Sequence, residues 1–83
     1  MSDITPHDVH AACIEAQKIM IGNGINANLM TGINGLCFAL CTCEITQPDA
    51  LKIPSIIEEE GLPFTVKIQL FNGHRVAFIL PVY

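Results

Sequence analysis

The fold is decided by the last twenty residues, Phe64-Thr-Val-Lys-Ile-Gln-Leu-Phe71, then Asn72-Gly73, then His74-Arg-Val-Ala-Phe-Ile-Leu-Pro-Val82. Two apolar, β-branched and aromatic runs flank an Asn-Gly pair, the strongest short-range hairpin signal. Two registers compete. A two-residue loop pairs Leu70 with Arg75 and sets Lys67 opposite Phe78. A three-residue loop, with Gly73 left-handed as a bulge, pairs Leu70 with His74. In the bulged register Val66, Ile68 and Leu70 share a face with Val76, Phe78 and Leu80, while Lys67, Gln69, Arg75, Ala77 and Ile79 share the other. That register separates apolar from polar better and is the one expected. Pro81 cannot donate to a ladder, so the last strand is expected to be an edge near its end.

Upstream of the hairpin, Leu36 to Ile45 alternates Cys37, Ala39, Cys41, Cys43 and Ile45 against Leu36, Phe38 and Leu40. A strand apolar on both faces belongs at the centre of a sheet or against a partner. Before it, Ile25, Ala27 and Leu29 alternate with Asn26, Asn28 and Met30, and Thr31-Gly-Ile-Asn-Gly35 supplies the turn.

Residues 5–22 carry helix signals. Thr5 and Asp8 form a T-x-x-D capping box around Pro6, and Gly22-Asn23-Gly24 ends the helix. At 100° per residue Val9, Cys13, Ala16 and Met20 form the core stripe, and Ile14 and Ile21 lie outside it. Gln47-Pro48-Asp49 opens a weaker helical stretch in which Pro54 removes a donor. A short turn over Asp49–Ile53 and a helix over Pro54–Glu60 ended by Gly61 are expected, with Ile56 and Ile57 facing the sheet.

The order is therefore α-β-β-α-β-β: a single α+β domain over 1–83, a four-stranded antiparallel sheet with one long N-terminal helix and one short helix. Helix-then-hairpin occurs twice, but no residue-level repeat accompanies it. With both helices on one face, Ala77, Ile79 and part of the Leu36–Ile45 strand are expected on the other, which calls for a covering partner.

Composition sharpens that expectation. Ile, Leu, Val and Phe make up 27 of 83 residues, too many for a disordered chain. Mean hydropathy is +0.46 and charged residues are only 14%, a thin charged skin for so small a globule. Four Lys and Arg against eight Asp and Glu leave no basic footprint for nucleic acid. The longest apolar run, Leu36 to Cys41, is far short of a membrane span. The opening MSDITPHD lacks the features of a signal peptide, and the four cysteines suit reduced thiols, so a cytoplasmic setting is expected. A homodimer is expected to cover the surplus apolar surface.

Few constellations carry chemistry. His7, His10 and Cys13 stand at i, i+3 spacing, but the drift along the helix turns Cys13 inward and His7 outward, so no metal site is expected. Cys37, Cys41 and Cys43 are too spread along a strand for one ion and read as small hydrophobes. The Gly/Asn segments lack the order and the lysine of a phosphate loop and read as turns. Glu58, Glu59 and Glu60 sit at the C-terminal end of a helix, where the macrodipole disfavours them. They are the expected contact for a basic patch on a partner, with Ile14 and Ile21 as further contacts.

No cofactor and no catalytic set is expected. The chain reads as a non-enzymatic binding protein that occludes a host or cognate protein, in the manner of inhibitors, immunity proteins or phage anti-defence proteins. The alternative is a homo-oligomeric binder of an anionic metabolite or nucleotide. There Asn26, Asn28, Asn34, His74 and Arg75 line a pocket, and the Arg75 guanidinium forks onto the anion. A third reading is a small cysteine enzyme with His74 or His10 beside the thiol.

Overall fold

A computed structural model describes residues 4–82; the first three residues of the MSDITPHD segment lie outside the described residues. Six elements follow in the expected order: α1 (Pro6–Gly22), β1 (Asn28–Thr31), β2 (Cys37–Thr42), α2 (Gln47–Glu60), β3 (Phe64–Phe71) and β4 (His74–Pro81). The four strands form one antiparallel sheet in the order β1-β2-β4-β3. Both helices pack on the same face, because one cluster joins Val9, Cys13, Ala16 and Met20 of α1 to Ala50, Ile53 and Ile56 of α2 and to Leu40, Ala77 and Ile79 of the sheet.

α1 forms as its caps dictate. The Asp8 amide donates to Thr5 Oγ1 at 3.2 Å and the Thr5 amide donates to Asp8 Oδ2 at 3.0 Å. All four residues of the expected stripe are buried; Ile14 is half-buried and Ile21 exposed.

α2 departs from expectation: it is one helix of 14 residues, with no separate turn over Asp49–Ile53. Thr46 caps it by accepting the Asp49 amide at 3.3 Å, and Gly61 closes it in the left-handed conformation at φ 63°. Pro54 sits within it on the exposed side. An interior proline costs about 3 kcal/mol. Ile53 and Ile56 bracket it and are 0% and 5% exposed, and full burial of such side chains contributes about 1.5–3 kcal/mol each. Burial of the Ala50–Ile53–Ile56 stripe therefore carries the helix through the proline.

The β3–β4 hairpin also corrects the expected register. Leu70 pairs with Arg75, Lys67 with Phe78 and Phe71 with His74, so the loop has two residues and no bulge. Asn72 at φ 50° and Gly73 at φ 81° give the two left-handed positions of a type I′ turn, whose twist matches the strands. Polar segregation misled because β4 is an inner strand, bonded to β2 and β3, and one of its faces lies under the helices. Ala77 and Ile79 accordingly occupy the helix face, both 0% exposed, and not the open face. Leu80 and Pro81 pair with β3 alone, so β4 does become an edge near its end.

β2 spans Cys37–Thr42, shorter than expected, and its register to β1 shifts between Met30 and Thr31: Met30 faces Ala39, while Thr31 faces Cys37. Phe38 is the extra residue of a bulge, and the faces exchange across it. Cys37 therefore joins Leu40 in the core, and does not share a face with Ala39 and Cys41. Beyond Thr42 the strand is broken by Glu44 at φ 54°, and Cys43 is exposed. Ile25 and Ala27 precede β1 yet are buried, held by a Gln17 Nε2 hydrogen bond to the Ala27 carbonyl at 3.0 Å.

Candidate functional site

An open cleft of about 610 Å³ lies between the start of α1 and the β1–β2 turn. Its walls are mostly apolar: Ile4, Val9, Ile33, Leu36 and Phe38, with Thr5 and Asn34 at the margins. Three of these side chains are left to solvent: Ile4 at 51%, Phe38 at 50% and Ile33 fully exposed.

Local hydrogen bonding explains why these residues stand where they do. The Leu36 amide donates to Asn34 Oδ1 at 3.0 Å, the Gly32 amide to the Leu36 carbonyl at 3.1 Å, and the Gly35 amide to the Gly32 carbonyl at 3.0 Å. Gly35 takes φ 78°, which a glycine adopts without strain. This closed turn holds Ile33 at its tip. On the opposite wall the capping box fixes the first turn of α1, and the Cys37 amide donates to His10 Nδ1 at 2.9 Å, tying α1 to the bulged start of β2. The Asp8 carboxyl lies below its ordinary pKa because it accepts from the Thr5 backbone amide and contacts the Thr5 hydroxyl. Hydrogen bonds thus hold both walls of the cleft, and apolar side chains lie between them. It suits an apolar side chain or helix edge of another protein.

The open sheet face is the second apolar surface. Cross-strand pairing puts Met30, Cys41, Phe71, Val76, Phe78 and Leu80 on it, with Lys67, Gln69 and Thr65 towards the β3 edge. Phe71 and Phe78 meet edge to face with ring centroids 6.5 Å apart.

The residues expected to touch an anionic ligand are not gathered into one pocket. Asn34 holds the cleft turn. Asn28 lies on β1 opposite Cys41. Asn26 lines a cavity of about 100 Å³ with Thr42, Glu44 and Asp49. His74 and Arg75 line another of about 240 Å³ with Glu44 and Ile45. Glu44 Oε1 is 3.2 Å from His74 Nδ1, and Arg75 Nη1 donates to the Ile45 carbonyl at 3.5 Å. A carboxylate thus stands at both small cavities, and the guanidinium already has a backbone partner.

Of the expected partner contacts, Glu58, Glu59 and Glu60 are all exposed at the end of α2 and make no ion pair among the described residues. Glu59 borders a shallow recess with Leu51, Lys52 and Ser55. Ile14 and Ile21 border neither this recess nor the apolar cleft. Among the described residues no group of three or more His, Cys, Asp or Glu could hold a metal ion, and no helix is long and apolar enough to cross a membrane.

The thiols are poor nucleophiles in this setting. Burial and the neighbouring Cys37 thiol push Cys13 up to about 12, and burial, then Cys43, raises Cys41. Neither thiol is favoured as the reactive thiolate near neutral pH. His10 spends Nδ1 on a backbone amide.

Sequence reasoning did not single out Ile33, Phe38 or the His10–Cys37 link. An isoleucine between glycine and asparagine in a turn was a legible signal, since turn tips face solvent. The bulge that displaces Phe38 left no sequence mark. Searches against protein-family models, curated proteins and solved structures match nothing, so the functional reading rests on this geometry.

Proposed function

We propose that the protein is a non-enzymatic binding module that occludes a partner protein by taking an apolar element of it into the cleft between α1 and the β1–β2 turn. The observation that carries this reading is Ile33, a fully exposed isoleucine held by a hydrogen-bonded turn beside exposed Ile4 and Phe38. Burying such side chains contributes on the order of 25 cal/mol per Å², and water gains nothing from their display. The inhibitor, immunity or anti-defence role expected from size and acidity belongs to the same proposal, with Glu58, Glu59 and Glu60 as a separate, charged contact. The anionic-ligand alternative has less support, because Glu44 lies beside His74 and Arg75.

The test is site-specific photo-crosslinking in the native host. A photoreactive residue at position 33 should give one discrete crosslinked protein, and the same residue at exposed Lys18 should not. The adduct should vanish in a Phe38→Asp background. No discrete adduct at position 33, or equal adducts at both positions, rejects the reading.

A further inference from the structure

β3 is an outer strand along its whole length, eight residues from Phe64 to Phe71, and only β4 bonds to it. The two-residue turn fixes which of its backbone groups are spent. Phe71 and His74 close the loop and form a hydrogen-bonded pair, and such pairs recur at every second position. Gln69, Lys67 and Thr65 therefore direct their amides and carbonyls to β4. Val66, Ile68 and Leu70 direct theirs outward, where no described strand meets them. At the same edge Ile68 is 42% and Leu70 67% exposed on the helix side of the sheet. A long edge of this kind is a template for another strand.

We propose that the edge is filled by β3 of a second copy of this chain, antiparallel, on a two-fold axis through Ile68. The two four-stranded sheets then become one sheet of eight strands. Three constraints narrow the register, and the number of backbone hydrogen bonds then favours Ile68 over Gln69 or Leu70 as the axis. Partners across an antiparallel ladder share a face, so a two-fold axis must pass through a residue and not between two. An axis through Lys67 sets two ammonium groups against each other, and like charges directly opposite are destabilising. An axis through Val66 asks the Phe64 amide to bond outward, but it already donates to the Leu62 carbonyl at 2.9 Å. The axis through Ile68 pairs Ile68 with its own copy and Val66 with Leu70 of the second copy, forming about six backbone hydrogen bonds. Lys67 then faces Gln69 of the second copy, a neutral partner. The lone charge of the strand thereby selects the register and does not block the edge. Ile68 and Leu70 lose their exposure, and the two helix layers line up on one side.

The inference concerns β3 and stands apart from the cleft, so failure of the crosslink at position 33 leaves it untouched, and the reverse holds. Light scattering of the purified chain from 10 to 200 µM should give twice the 9.0 kDa monomer mass. In a mixed sample of labelled and unlabelled protein, an isotope-filtered NOE should join the Lys67 Hα to the Gln69 Hα of the other copy, since that pair lies in the close, non-hydrogen-bonded positions. Ile68→Pro removes an amide that β4 does not use, and Ile68→Lys sets two charges on the axis. Both should halve the mass while leaving the far-ultraviolet circular dichroism unchanged. A wild-type monomer throughout the range, a dimer lacking the 67–69 NOE, or a dimer that survives both substitutions overturns the proposal. The NOE decides the matter if either variant fails to fold.

Discussion

His10 Nδ1 accepts the backbone amide of Cys37 across 27 residues of sequence, so one imidazole binds the second turn of α1 to the first residue of β2. At the bulge the sheet leaves this amide without a ladder partner, and the ring supplies one. The tautomer is fixed by the bond: Nδ1 carries the lone pair and Nε2 the proton. His10→Ala should destabilise the fold by about 1–3 kcal/mol, the range for a buried donor left unsatisfied, read as a lower urea midpoint at unchanged slope. An unchanged midpoint would show that water replaces the ring without loss.

Gly73 provides a test of backbone conformation alone. It takes φ 81°, and a Cβ built on it meets no atom within 4 Å. Gly73→Ala therefore meets no steric neighbour and pays only for the left-handed conformation, about 1–2 kcal/mol. A drop of that size in unfolding free energy is expected, with the dispersion of the β3 and β4 amide resonances retained.

Pro54 is a site of easy gain. It is exposed inside α2 and withholds a donor from the carbonyl four residues back, that of Ala50. Pro54→Ala restores the donor and should stabilise the chain by about 1–3 kcal/mol, seen as a higher Tm. A fall in Tm would mean that the proline stiffens the unfolded chain by more than it disturbs the helix.

Stability should fall at both ends of the pH scale for reasons that can be assigned. Cys13 is raised in the folded state to about 12, above the thiol value of the unfolded chain near 8.5. A raised acid favours the fold below the unfolded value, and that contribution is lost as pH climbs through the interval. Between about pH 9 and pH 12 the unfolding free energy should decline by about 1.4 kcal/mol per pH unit from this group, and Cys13→Ala should flatten that limb. Asp8 has the opposite sign. Its folded value is lowered, so its contribution is full above the unfolded value near 3.9 and is lost as pH falls below it. Asp8→Asn should shallow the acid limb, measured by chemical denaturation across pH.

Ile33 should separate folding from function. Ile33→Asp should leave the unfolding free energy within the scatter of surface substitutions, about 0.5 kcal/mol, because the side chain is fully exposed. A marked loss of stability would show that Ile33 packs within the chain and is not free to meet a partner.

What the sequence disclosed and what it hid follow from how local each signal is. α1 was legible because its cap, its stripe and its stop are all written within one helix. The Ala50–Ile53–Ile56 stripe of α2 was equally present, but Pro54 drew more weight than two buried isoleucines deserved against it. The hairpin was legible as a hairpin, and its register was not. The polar separation used to choose it presumes one wet face at each strand, whereas Ala77 and Ile79 go under the helices. The bulge at Phe38 is a property of the β1–β2 pairing, and no residue of either strand announces it. The cleft was hidden for the same reason: its walls are α1 and a turn some 27 residues later, brought together only by the fold.

The sheet order has a kinetic consequence. β1 pairs with β2 and β3 with β4, each across a short turn, whereas β2 and β4 meet at only three residue pairs, Leu40–Ile79, Cys41–Phe78 and Thr42–Ala77. Each hairpin also has its own helix immediately before it in the chain. Local pairs close early because little loop entropy opposes them, and the distant pair must wait for both. Folding should thus pass through two helix–hairpin halves that form quickly and dock late. Pulling on the two ends of the chain should part the molecule first at the β2–β4 join.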